Sequence, residues 1–97
     1  MPTYITMLSF TQQGVEKIKD GPARLDRAKA AVKATGGELK AFYLTMGRFD
    51  AVAISEAPSD EAYATTMLAL ASAGAIRTET LRAFTEEEYR KIIAALP

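Results

Sequence analysis

Ninety-seven residues suffice for one hydrophobic core and are too few for two, so residues 1–97 are expected to form a single domain. At 48% hydrophobic and 25% charged residues the chain is ordinary globular material, and its twelve basic residues are offset by twelve acidic ones, which removes the electrostatic footprint of a nucleic-acid binder. No Cys and no His occur, which excludes disulfides, thiolate nucleophiles, imidazole bases and His- or Cys-ligated metal centres, so neither a metal nor a cofactor is expected.

Tyr4 to Phe10 is rich in β-branched and aromatic residues and reads as a first strand. Thr11 is placed to cap a helix behind it, with Phe10 and Val15 spaced as a hydrophobic staple. Gly21-Pro22 interrupts that helix, since Pro is excluded from helix interiors and favoured at a first helical position. A second helical segment carries Leu25, Ala28, Val32 and Thr35 on one stripe and ends at Gly36-Gly37. Leu39 to Met46 and Phe49 to Glu56 read as a hairpin turning at Gly47. Pro58-Ser59-Asp60-Glu61 opens a helix, with Ser59 as cap and the acids at the positive end of the dipole; it runs to about Ala73 and stops at Gly74. Ala75 to Ala83 is a fourth strand. Thr85 and Glu88 have capping-box spacing, Phe84 and Tyr89 that of a staple, and a last helix is expected to turn Tyr89, Ile92, Ile93 and Leu96 inward.

This β-α-β-β-α-β order with an extra C-terminal helix is the ferredoxin-like split βαβ arrangement, an α+β fold with a four-stranded antiparallel sheet and helices on one face. The expected strand order is 4-1-3-2, with the edges carrying Glu38, Lys40, Arg77, Glu79 and Arg82. A sheet covered on one side should alternate apolar and polar residues. These strands do not. Phe42, Leu44 and Met46 share one parity of the second strand, and Leu39, Ala41 and Tyr43 the other. Val52 and Ile54 oppose Phe49, Ala51 and Ala53, while Tyr4, Leu8 and Phe10 oppose Ile5 and Met7. The helices suffice for one apolar face, so the second is expected to be buried in a homodimer through the sheet, or in a higher oligomer.

Tyr4, Thr6 and Tyr43, with Thr78 and Thr80 from the fourth strand, are polar groups on otherwise apolar strands, the pattern of a pocket for a small, partly apolar ligand between sheet and helices. The structural alternative is that these hydroxyls only satisfy one another in the core or a dimer seam. Arg48 and Asp50 share a strand parity beside the turn. Functionally they read as an anion-binding Arg held by an Asp at a pocket mouth; structurally, Asp50 fixes the hairpin by accepting backbone hydrogens. Asp60, Glu61 and Glu86 to Glu88 fall in first helical turns, where the dipole accounts for them without a metal. No apolar run approaches the ~20 residues of a membrane span, and no signal-peptide pattern opens the chain, so a cytoplasmic address is expected.

Tyr4-Ile5-Thr6, Thr45-Met46-Gly47-Arg48-Phe49-Asp50, Glu56-Ala57-Pro58 and Arg77-Thr78-Glu79-Thr80-Leu81-Arg82-Ala83-Phe84 together resemble the GYD-domain family, in order and across essentially the whole chain. Phe49 stands where the family's Gly-x-Tyr-Asp turn has Tyr, so that phenol hydroxyl is missing. The resemblance implies a ferredoxin-like protein of the dimeric α/β-barrel kind, with two sheets face to face, and carries over no catalytic residues. Related barrels include cofactor-free monooxygenases, isomerases and haem enzymes, but a shared fold does not imply a shared reaction, and the lack of His counts against haem. A cofactor-free monooxygenase or isomerase-like enzyme is one alternative to a binding module. A purely structural or regulatory assembly module is the other.

Overall fold

Thr11 begins the first helix, as its capping chemistry requires: its Oγ1 accepts the Gly14 N–H at 3.2 Å and its hydroxyl donates to the Gly74 carbonyl at 2.5 Å. The computed structural model describes residues 1–97. Its elements are β1 (Thr3–Phe10), α1 (Gln12–Glu16), a 3-10 turn (Ile18–Asp20), α2 (Gly21–Ala34), β2 (Glu38–Leu44), β3 (Ala51–Glu56), α3 (Asp60–Ser72), β4 (Ile76–Ala83) and α4 (Glu86–Ala94). The antiparallel sheet has the order β2-β3-β1-β4, so the ferredoxin-like α+β expectation holds, with β1 and β3 central. No helix is long and apolar enough to cross a membrane.

Local chemistry fixes most boundaries. Gly14 lies so close to β4 that a Cβ there would collide with the Ala75 carbonyl oxygen, the same oxygen that accepts the Thr11 N–H at 3.1 Å. This close approach pins α1 to the start of β4 and leaves Val15 58% exposed, so Val15 does not staple to Phe10 as expected. α2 begins at Gly21 with Pro22 in its first turn, where the missing N–H costs nothing. Ser59 caps α3 by accepting the Ala62 N–H at 3.1 Å.

Two expectations about the hairpin are corrected. The strands stop at Leu44 and start again at Ala51, so the connection is the loop Thr45–Asp50 rather than a tight turn at Gly47. Asp50 ties that loop to the sheet: its N–H donates to the Leu8 carbonyl and its Oδ2 accepts the Phe10 N–H, both at 2.8 Å, while its carbonyl accepts the Thr45 N–H at 2.9 Å. The second correction is a bulge at Lys40, where the register passes from Leu39↔Ser55 to Ala41↔Ile54. One extra residue reverses side-chain parity. Leu39, Phe42 and Leu44 therefore share the face of Ser55, Ala53 and Ala51, and Tyr43 falls on the opposite face beside Val52.

α2 and α3 cover the face that carries Tyr4, Thr6, Leu8 and Phe10 of β1. The core beneath them is thin. Only twelve of 97 residues are fully buried, and the apolar cluster is Tyr4, Ala57 and Tyr63 with Met67 packed against it. On the other face Ile5, Met7, Val52 and Ile54 are half-buried, and Tyr43 and Leu81 are exposed. α4 has the expected capping box, with Glu88 N–H to Thr85 Oγ1 at 3.1 Å and Thr85 N–H to Glu88 Oε1 at 2.9 Å. Its apolar residues do not turn inward, however: Tyr89, Ile92, Ile93 and Leu96 are 45–62% exposed. A cap fixes where a helix starts, not what lies beneath it, and here the helix extends from the body. The molecule measures 53 × 30 × 18 Å with a radius of gyration of 14.6 Å, where a compact domain of this length would have about 12.5 Å.

Candidate functional site

Small side chains on the central strand open a cavity. In β3 the residues facing the helices are Ala51, Ala53 and Ser55, and the last two line the space between the sheet and α2 and α3. The space left measures about 400 Å³. Its floor is Thr6, Leu8 and Phe10 of β1, Leu39, Phe42 and Leu44 of β2, Ala53 and Ser55 of β3, and Ile76 and Thr78 of β4. Leu25, Ala28 and Val32 of α2 and Tyr63, Met67 and Leu70 of α3 form the roof.

The cavity has a polar deep end and a mouth that is apolar apart from Arg24. Ile18 and Leu44, which border it where α2 starts and β2 ends, are 46% and 73% exposed. At the other end Thr6, Ser55 and Tyr63 are 1–3% exposed. There the Thr6 Oγ1 lies 2.7 Å from the Tyr63 hydroxyl and 3.1 Å from Thr80 Oγ1, so three hydroxyls form a chain. Ser55 Oγ is buried and has no hydrogen-bond partner. An orphaned hydroxyl is uncommon, because burial without a partner costs about 1–3 kcal/mol.

Tyr63 is held by its neighbour. Its ring stacks on Tyr4 with centroids 4.3 Å apart and planes 6° from parallel. The Tyr4 hydroxyl points away from the cavity and donates to Asp60 Oδ1 at 2.5 Å, while Arg82 Nε lies 3.6 Å from the same oxygen. Burial first, then the Asp60 hydrogen bond and its negative charge, pushes the Tyr4 phenol up to about 12.

Of the residues singled out from sequence, Thr6 and Thr78 line the cavity and Thr80 reaches it through Thr6. Tyr4 backs the wall without lining it. Tyr43 is on the open face, 60% exposed, because the bulge reversed its parity. Arg48 and Asp50 are outside the cavity and do not pair: the guanidinium lies over the Phe49 ring, 5.5 Å from its centroid, and Asp50 accepts the Phe10 N–H instead. Ser55 and Tyr63 are site residues that the sequence reasoning misses. The small residues at 51, 53 and 55 and the α3 stripe of Tyr63, Met67 and Leu70 are the signals that point to them. No cluster of three or more His, Cys, Asp or Glu side chains stands close enough to hold a metal ion.

Comparison with known proteins gives this architecture a lineage. The GYD-domain family model matches residues 4–93. A protein of Thermus thermophilus named glutamine synthetase and cystathionine beta-lyase binding protein is 33% identical over 84 residues, 86% of this chain and 88% of that one. The feast or famine regulatory protein of M. tuberculosis, solved with L-methionine, superposes with a TM-score of 0.67 at 15% identity, over 88% of this chain and 51% of that one. The chain thus spans about half the length of that regulator. TTHA0845, also of Thermus thermophilus, superposes with a TM-score of 0.56 at 21% identity, over 88% of this chain and 95% of that one. At such identities the structural likeness concerns the fold alone.

Proposed function

Because the chain belongs to the GYD-domain family, we propose that it is a homo-oligomeric module that binds a small, partly apolar ligand between sheet and helices, with no bound cofactor. One observation carries the reading. The cavity of about 400 Å³ is walled mainly by apolar side chains yet ends on a buried hydroxyl with no partner, the combination of apolar body and few placed polar groups that small-molecule sites use. Thr6, Thr78 and, through Thr6, Thr80 belong to this site; Tyr4 supports it, and Tyr43, Arg48 and Asp50 serve elsewhere. Native mass spectrometry of protein purified from its own host tests the proposal, with a retained small molecule as the expected result. No co-purifying molecule and no thermal shift from a metabolite library would remove it.

The homodimer is part of the same proposal, and the open face supports it. Four strands spaced ~4.8 Å apart and about seven residues long at ~3.3 Å each present roughly 440 Å² of plane, while a standard stable interface buries about 800 Å² per partner. A flat plane is a lower bound on accessible surface, so the sheet supplies a large part of such an interface. The exposed stripe of α4, with Tyr89, Ile92, Ile93 and Leu96, is the apolar surface available to complete it. In this arrangement α4 of each copy lies against its partner.

A second reading, a docking module for a different protein, is favoured by the name of the similar Thermus protein, which is given for binding two enzymes. Light scattering on the purified chain separates the two. A dimer at micromolar concentration supports self-association, and a folded monomer with its sheet face open supports the docking module.

A further inference from the structure

We infer that the cavity selects an uncharged molecule, apolar along most of its length and carrying one hydrogen-bonding oxygen that enters first and meets Ser55. This rests on the ligand-binding reading above and narrows it to a chemical class: alcohols, phenols or ketones rather than carboxylates or amines.

Ser55 supplies the positive argument. It sits on β3 at the deep end, paired in register with Tyr4 on one side and Leu39 on the other. Its hydroxyl brings one donor and two acceptor sites, all unused. On the same wall Thr80, Thr6 and Tyr63 satisfy one another through contacts of 3.1 and 2.7 Å, which leaves Ser55 as the hydroxyl without a partner. The Ser55 hydroxyl alone can therefore donate to or accept from a single oxygen. Apart from Thr78 and Arg24 the rest of the wall is carbon, so a second polar group on the ligand would find few partners.

Charge supplies the exclusion. The one ionised side chain bordering the cavity is Arg24. Its guanidinium donates to the Lys17 carbonyl at 2.9 Å and the Gly14 carbonyl at 3.3 Å, closing the C-terminal end of α1. It stands at the mouth, about two helical turns (~12 Å) along α2 from Val32. No Asp, Glu or Lys borders the space. A carboxylate or ammonium at the deep end would be desolvated without a counter-ion, a cost of several kcal/mol that a neutral oxygen avoids. Size agrees with a small ligand, since about 400 Å³ falls within the roughly 300–1,000 Å³ of small-molecule sites.

The test uses matched pairs on one hydrocarbon, a ring pair (2-naphthol and 2-naphthoate) and a linear pair (nonan-1-ol and nonanoate), titrated calorimetrically into the full chain and into Ser55→Ala. The expected result is that the alcohol of at least one pair binds at least tenfold more tightly than its carboxylate. Ser55→Ala should weaken that alcohol about five- to tenfold, the worth of one hydrogen bond, and leave the parent hydrocarbon unchanged. Equal or tighter binding of the carboxylate, or an alcohol affinity indifferent to Ser55→Ala, overturns the class while leaving the cavity as a binding site. Saturable binding by none of the four overturns the ligand-binding reading itself.

Discussion

Ser55→Ala should make the ligand-free protein more stable, a sign opposite to that of most substitutions at buried positions. Ser55 is 1% exposed and its Oγ has no partner. An unmade hydrogen bond at such a site costs about 1–3 kcal/mol, and truncation to Ala removes the group that bears the cost. The opposing loss is the van der Waals contact of one buried oxygen atom, at about 0.1–0.2 kcal/mol for each neighbour it touches. The net expectation is about 1 kcal/mol of stabilisation. With unfolding entropy near 2.1 cal/mol/K per residue, a chain of 97 residues gains roughly 5 °C in Tm from that amount. Calorimetric melts of both proteins at one concentration, supported by a urea midpoint that rises at constant slope, measure it. A lower Tm, or one unchanged within a degree, refutes the reasoning, since it would mean that the hydroxyl already has a partner, such as an ordered water, in the ligand-free protein. Adding an alcohol that binds should reverse the order, with the larger ligand-induced gain in the parent.

Tyr4→Phe should flatten the alkaline limb of the stability curve. The Tyr4 phenol is pushed from 10.0 up to about 12, so the fold favours its neutral form; that contribution is intact below pH 10 and is lost as pH rises from about 10 to 12, up to roughly 2–3 kcal/mol. Denaturant midpoints measured across that range should fall more steeply for the parent than for Tyr4→Phe, and parallel curves would remove Tyr4 as the source. Asp50→Ala strands the Phe10 N–H and should cost about 1–2 kcal/mol while leaving alcohol binding intact, because Asp50 does not line the cavity. Lost alcohol binding with unchanged stability would make Asp50 part of the ligand site. Ile92→Asp with Ile93→Asp places carboxylates on the apolar stripe of α4, where a buried unpaired charge costs several kcal/mol. Light scattering should then report monomers with unchanged far-UV circular dichroism, and a persistent dimer would show that α4 is not in the interface.

Features that depend on three or four consecutive residues are legible in the sequence. Thr11, Ser59 and the Thr85–Glu88 pair cap the helices they are expected to cap, because a cap is satisfied by N–H groups two or three positions away. The strand order follows from the order of elements. Features that depend on a partner strand are not legible. The bulge at Lys40 exists only relative to β3, and with apolar residues at both parities of β2 no alternation marks which face is which. For that reason sequence alone puts Tyr43 in the pocket. The role of Asp50 as an acceptor of backbone hydrogens is legible, but its donor is Phe10, forty residues away in sequence. Lone amphipathic stripes are ambiguous in the same way: the spacing of Tyr89, Ile92, Ile93 and Leu96 defines an apolar face without saying whose surface it meets.

β3 unites the two proposals. Its alternation is inverted relative to a sheet that stands alone, with small residues (Ala51, Ala53, Ser55) under the helices and large β-branched ones (Val52, Ile54) on the face its own helices leave open. In an isolated, empty protein each half of that pattern is a loss, since an unfilled core forfeits packing and an apolar sheet in water invites association. Exchanging the sizes would remove both losses by local changes to one strand. The pattern is stabilising only when something occupies the covered side and something else covers the open side. A neutral small molecule at Ser55 and a second copy across Val52 and Ile54 meet those two requirements, and each leaves the other's surface untouched.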